Sequence, residues 1–208
     1  MKRESRMAIV GLLVFCLCMT ALVSTSHAIK IGKTKKVEVN LSDISEKLTK
    51  FENSPLLQNY QKKKVKYEKC DVAEVDEFSK NAAITYATFK LIDDVTAQIE
   101  AGLDKGELPE NYQELLNILN ELLSGLQDKT NTLVNSGNQL VSNISNLIKD
   151  PLKIPAVTKS INTSIDNLKK CSEKIDSLKE RMNKIISASA PTSSTNENIE
   201  NENTEQSE

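Results

Sequence analysis

The amino-acid sequence predicts an all-α fold: an elongated antiparallel bundle of about four main helices with coiled-coil-like heptad seams and a disordered C-terminal tail. Three observations point there. Tyr112, Leu119, Leu126, Leu133, Leu140 and Leu147 recur every seventh residue, interleaved with Leu116, Leu123, Thr130, Gly137 and Ile144 at alternating steps of four and three. Ile154, Ile161, Leu168, Ile175 and Met182 repeat the device with Val157, Ser164, Cys171, Leu178 and Ile185. Prolines fall where these patterns start or stop, at Pro55, Pro109, Pro151 and Pro155.

The chain opens on an expected export signal, residues 1–28. Residues 1–6 are a short basic head, and residues 7–23 an uncharged, mostly apolar run. Residues 24–28 are small and polar, with Ser26 and Ala28 at the positions a signal peptidase reads. Cleavage is expected between Ala28 and Ile29. Lys30, Lys33, Lys35 and Lys36 crowd that cut, so a membrane tether through an uncleaved segment is the alternative. A lipid-modified cysteine fits less well, because Cys16 and Cys18 follow large residues inside the apolar run. Residues 29–40 read as a basic leader.

The helical domain is expected over residues 41–186. A first helix should begin near Leu41, with Asp43 and Glu46 spaced as a capping box and Leu41, Ile44, Leu48 and Phe51 on one face. Ser54 and Pro55 interrupt and restart it. Leu56, Leu57 and Tyr60 continue its apolar face, and Lys62, Lys63, Lys64 and Lys66 make its end strongly basic. A second helix should start at Asp71, capped together with Glu74, and stop between Gly102 and Gly106. The third should run over 110–149, about 60 Å at 1.5 Å per residue. Leu115 and Leu122 widen its stripe beyond a two-stranded seam. A short proline-bearing link then favours an antiparallel hairpin with the fourth helix. From Ser187 the periodicity ends, and residues 187–208 read as a disordered acidic tail rich in Ser, Asn and Glu.

Composition narrows the chemistry. The net charge is −2 but unevenly placed: residues 29–69 hold eleven lysines against five acids, and the tail holds five glutamates and no base. Such asymmetry favours internal attraction. With no strongly basic domain and only 4% aromatic residues, nucleic acid is not an expected partner. His27 is the only histidine and belongs to the signal, and there is no tryptophan. A mature chain without histidine has no Ser-His or Cys-His nucleophile. Two cysteines alone fall short of a zinc shell. No catalytic residue, metal site, cofactor or enzymatic activity is therefore expected. Asp76-Glu77 and Asp93-Asp94 are adjacent pairs that diverge on a helix, and they read as solvated faces. Cys70 and Cys171 form the one cysteine pair of the mature chain, an expected disulfide in an oxidising compartment.

In general build the chain resembles small exported helical-bundle proteins of bacterial envelopes, and no motif attaches it to a particular family. The expected role is that of an exported, periplasmic or extracellular protein without enzymatic activity. It would bind a partner protein or a second copy through helical faces, or serve as a structural component of the cell envelope. The alternative is a membrane- or lipid-interacting protein, pore formation included. That role would use the anionic-surface contacts Lys62, Lys63, Lys64 and Lys66, and the charge-free stretch 130–148, rich in Asn, Ser and Thr.

Overall fold

The computed structural model describes residues 33–188, which are mostly helical with one short β-hairpin. The expected signal, its cut between Ala28 and Ile29, and the tail from residue 189 onward lie outside the described residues. Strand β1 (Lys33–Asn40) pairs antiparallel with β2 (Lys62–Lys69), Lys33 facing Lys69 and Asn40 facing Lys62. One helical turn, α1 (Leu41–Ile44), and two 3-10 segments, Glu46–Phe51 and Pro55–Tyr60, connect the strands. Three long helices follow: α2 (Ala73–Leu103), α3 (Tyr112–Leu147) and α4 (Ile154–Ala188).

The structure replaces the expected first helix with a β-hairpin and its connecting turns. Residues 33–40 are a strand, and residues 62–69 are its partner. The reason is a period of two: Val37 and Val39 alternate with Lys36 and Glu38, and Val65 and Tyr67 alternate with Lys64, Lys66 and Glu68. Between the strands Leu41, Leu48, Phe51, Leu56, Leu57 and Tyr60 are buried as expected, but mostly from 3-10 turns. A 3-10 turn shares the i, i+3 spacing of an α-helical face, so the apolar pattern does not separate the two. Ser45 ends α1: its backbone is extended (φ −164°, ψ 132°) and its Oγ accepts the Lys47 N–H at 3.2 Å.

Both expected caps move. Asn40, three residues before Asp43, takes the N-cap role, and its N–H donates to Asp43 Oδ2 at 2.9 Å. Asp71 does not cap α2. It adopts φ 61°, a left-handed conformation that aspartate tolerates, and pairs with Lys69 at 2.7 Å, leaving Val72 as the N-cap residue. At the far end of α2, Gly106 has φ 70° and donates to the Leu103 carbonyl at 3.2 Å, while Glu107 donates to the Gly102 carbonyl at 3.0 Å. This crossed pair is a Schellman stop, and it needs glycine at the left-handed position.

Side-chain pairs fix the directions of the long helices. Asn120 and Lys179 are bonded to Asn183 and Gln127, so α3 and α4 run antiparallel. Arg181 reaches Asp93 and Glu100, placing the late part of α4 beside the late part of α2. The core forms two clusters. One gathers Leu48, Phe51 and Leu57 with Ile92, Leu119, Leu123, Ile175 and Met182. The other gathers Val75, Phe78, Ile144, Val157, Ile161 and Ile165. Thr85 and Thr130 fall between the two along their helices, fully buried with unpartnered hydroxyls.

Candidate functional site

The hairpin sorts the predicted lysine group. Strand alternation puts Lys62, Lys64 and Lys66 on the exposed face and leaves Lys63 half-buried, its Nζ 4.0 Å from the centre of the Tyr60 ring. The opposite strand brings Lys36 directly across from Lys66 and Glu38 across from Lys64. Like charges directly opposite each other disfavour the pairing, so the Lys36–Lys66 position is electrostatically unsatisfied. Among the described residues no acid forms an ion pair with Lys36, Lys62, Lys64 or Lys66. Sequence patterning on a helix misses Lys36. The signal that finds it is the alternation Lys-Val-Glu-Val over 36–39, which marks a strand.

The connecting segment docks on one half of α3 only. Lys47 pairs with Glu121, and Lys50 Nζ lies 3.5 Å from Glu114 Oε1. Both acids are in the first half of α3. Beyond Thr130 no described residue gives such cover, and Leu133, Leu140 and Leu147 are left half-buried. They line a groove of about 420 Å³ with Phe78, bounded on the α2 side by Glu74 and Glu77. The polar residues here spend their hydrogen bonds locally: Ser136 donates to the Thr132 carbonyl and Ser142 to the Asn138 carbonyl, each at 3.0 Å. Among the described residues, the charged half of α3 is thus covered from within the chain and the uncharged half is not. No described helix is long and apolar enough to cross a membrane.

The remaining predicted residues are dispersed. Cys70 and Cys171 are free thiols, which corrects the expected disulfide. Cys70 stands beside the start of α4, where Lys153 acts on neighbouring Asp71. Cys171 is about 25 Å further along α4 at 1.5 Å per residue, far beyond the roughly 7 Å between Cα atoms that a disulfide tolerates. Burial pushes both thiols up to about 11. Asp93 and Asp94 are engaged rather than solvated. Arg181 donates to Asp93 at 3.0 Å and to both carboxylate oxygens of Glu100 at 2.9 and 2.5 Å. Tyr60 donates its hydroxyl to Asp94, and Lys90 lies 3.3 Å from Asp93 and 3.4 Å from Asp94. Asp76 Oδ1 accepts the Cys70 N–H at 2.5 Å. These groups tie α2 to α4 and to the hairpin. Among the described residues no group of three or more His, Cys, Asp or Glu side chains could hold a metal ion. No family model, curated protein or solved structure matches the chain.

Proposed function

We propose that this is an exported, non-enzymatic helical-bundle protein of the cell envelope that works by protein–protein contact, and that its partner in the α2/α3 groove is a second copy of itself. The observation that carries the reading is the open half of α3. Leu133, Leu140 and Leu147 make an apolar stripe about 21 Å long at 1.5 Å per residue. Around them, residues 130–148 carry no charge. A two-fold interface presents the same patch on both sides, so a patch whose charges are all of one sign repels its copy. A neutral leucine face avoids that penalty, and the seven-residue spacing suits helix-on-helix packing. Glu74 and Glu77 then border a neutral partner helix rather than an acidic one.

A photo-activated cross-linker at exposed Asn143, beside the groove, tests this in the native envelope. The expected product has twice the mass of one chain, and the same probe at exposed Asn117, on the covered half of α3, gives none. Adducts only to other proteins, or no adduct at Asn143, would count against self-association.

The hairpin supports a second reading, contact with an anionic lipid surface. Lys36, Lys62, Lys64 and Lys66 share one exposed face, and each lysine near such a surface contributes roughly 1 kcal/mol at low ionic strength. Co-sedimentation with phosphatidylglycerol vesicles is expected, lost on replacing all four by glutamine and lost in high salt. Binding that survives both changes rules the hairpin out as its source.

A further inference from the structure

On the other flank of α2, away from the leucine groove, lies a cleft of about 480 Å³ between the hairpin, α2 and α4. This falls in the size range of small-molecule sites. It exists because both helices present small side chains there. The α2 wall is Ser79, Ala82 and Ala83 ending at Tyr86; the α4 wall is Ala156, Ser160, Thr163, Ser164 and Asn167. Lys66, Tyr67 and Glu68 of β2 form the third side, and Lys159 stands on the α4 rim.

Two observations mark the cleft as more than a packing gap. Ser79 is 3% exposed, lines the cleft, and its hydroxyl has no hydrogen-bond partner. A buried hydroxyl left unpaired is destabilising, and each such group in a native fold calls for an explanation. Tyr86 is one of three large hydrophobic side chains exposed among the described residues, at 39%, and it lines the same cleft. The cleft therefore offers a row of hydroxyls and one amide, two tyrosines and the Lys159 ammonium at its rim.

We propose that this cleft binds a monosaccharide carrying one anionic group, a sugar phosphate or a sugar acid. Ser79 and the Ser160–Thr163–Ser164 row are placed to exchange hydrogen bonds with ring hydroxyls. Tyr67 and Tyr86 line the cleft and offer aromatic surface for the C–H side of the sugar, and Lys159 on the rim supplies the charge for the anion. Inorganic phosphate alone would satisfy Lys159 and leave the hydroxyl row and the tyrosines unused. An uncharged sugar would leave Lys159 unused. The site is independent of self-association through α3, since it uses a different flank of α2.

Calorimetric titration of the full chain with glucose 6-phosphate, glucuronate, glucose and inorganic phosphate tests the proposal. Both anionic sugars should bind at least about tenfold more tightly than glucose or phosphate. Ser79→Ala should weaken both by about tenfold while leaving the thermal midpoint unchanged or raised, because it removes an unpaired polar group. Lys159→Gln should weaken the anionic sugars by a similar factor and leave glucose unaffected. The proposal is overturned if no probe binds at about 10 mM, a free energy of only ~2.7 kcal/mol. Phosphate binding as tightly as glucose 6-phosphate, or full binding by Ser79→Ala, overturns it equally.

Discussion

Cys171 is 1% exposed on α4, and desolvation moves its thiol from an ordinary 9.0 up to about 11 against the weaker pull of Lys174 and Lys90. Cys70 rises to about 11 as well, through burial and then the nearby carboxylates of Asp76, Glu68 and Asp71. The folded state thus keeps protons that the unfolded chain releases. The associated stability is fully present below about pH 9 and is lost as the pH rises through about 11. For buried Cys171 this amounts to roughly 2–3 kcal/mol at 1.36 kcal/mol per pKa unit. The thermal midpoint should therefore be flat near neutrality and fall between about pH 9 and 11. The fall should be shallower in Cys171→Ala, and a midpoint with the same slope in both proteins refutes the assignment. Tyr60, also raised by burial and by Asp94, adds its loss at still higher pH. The same two thiols should titrate in denaturant without reductant, which an intact Cys70–Cys171 bond would prevent.

At the scale of elements, the third and fourth helices were legible from heptads, and their observed limits, Tyr112–Leu147 and Ile154–Ala188, lie close to those the proline stops imply. The hairpin was not legible. Its strands are dominated by lysine, and the buried residues between them follow a spacing that a 3-10 turn and an α-helix share. The only signals against a helix were the short alternations around Val37 and Val65, which run for a few residues each. Glycines within α3 show how packing overrides helix propensity. A Cβ at Gly125 would meet nothing within 4 Å, so Gly125→Ala should raise stability by about 0.5–1 kcal/mol. A Cβ at Gly137 would sit 2.8 Å from both Ile165 Cγ1 and Phe78 Cζ. Overpacking there costs about 1–3 kcal/mol, enough to cancel or exceed the same propensity gain. Denaturant midpoints should separate the pair in that order, and equal stabilisation of both would show that the three helices are less tightly apposed at Gly137.

At the scale of the molecule, the element that sequence patterning mistakes for a helix is the one that leaves the surface open. A fourth long helix could have closed the leucine stripe along its whole length. The segment instead spends its residues on a hairpin against α2 and on turns over the first half of α3, where Lys47 and Lys50 meet Glu121 and Glu114. Among the described residues, the stripe beyond Thr130 keeps its leucines and has no such cover. The cleft escaped notice for a different reason: serine, threonine and alanine on two helices carry no motif, and only the tertiary arrangement shows that they face a common space. Sedimentation equilibrium on the purified protein and on Leu140→Glu tests the central claim most directly. The account predicts a dimer for the native sequence and a folded monomer for the variant, a loss of about a hundredfold or more in association for ~2.7 kcal/mol. A native protein that stays monomeric at about 100 μM, corresponding to ~5.5 kcal/mol, or a variant that dimerises as well as the native chain, contradicts it.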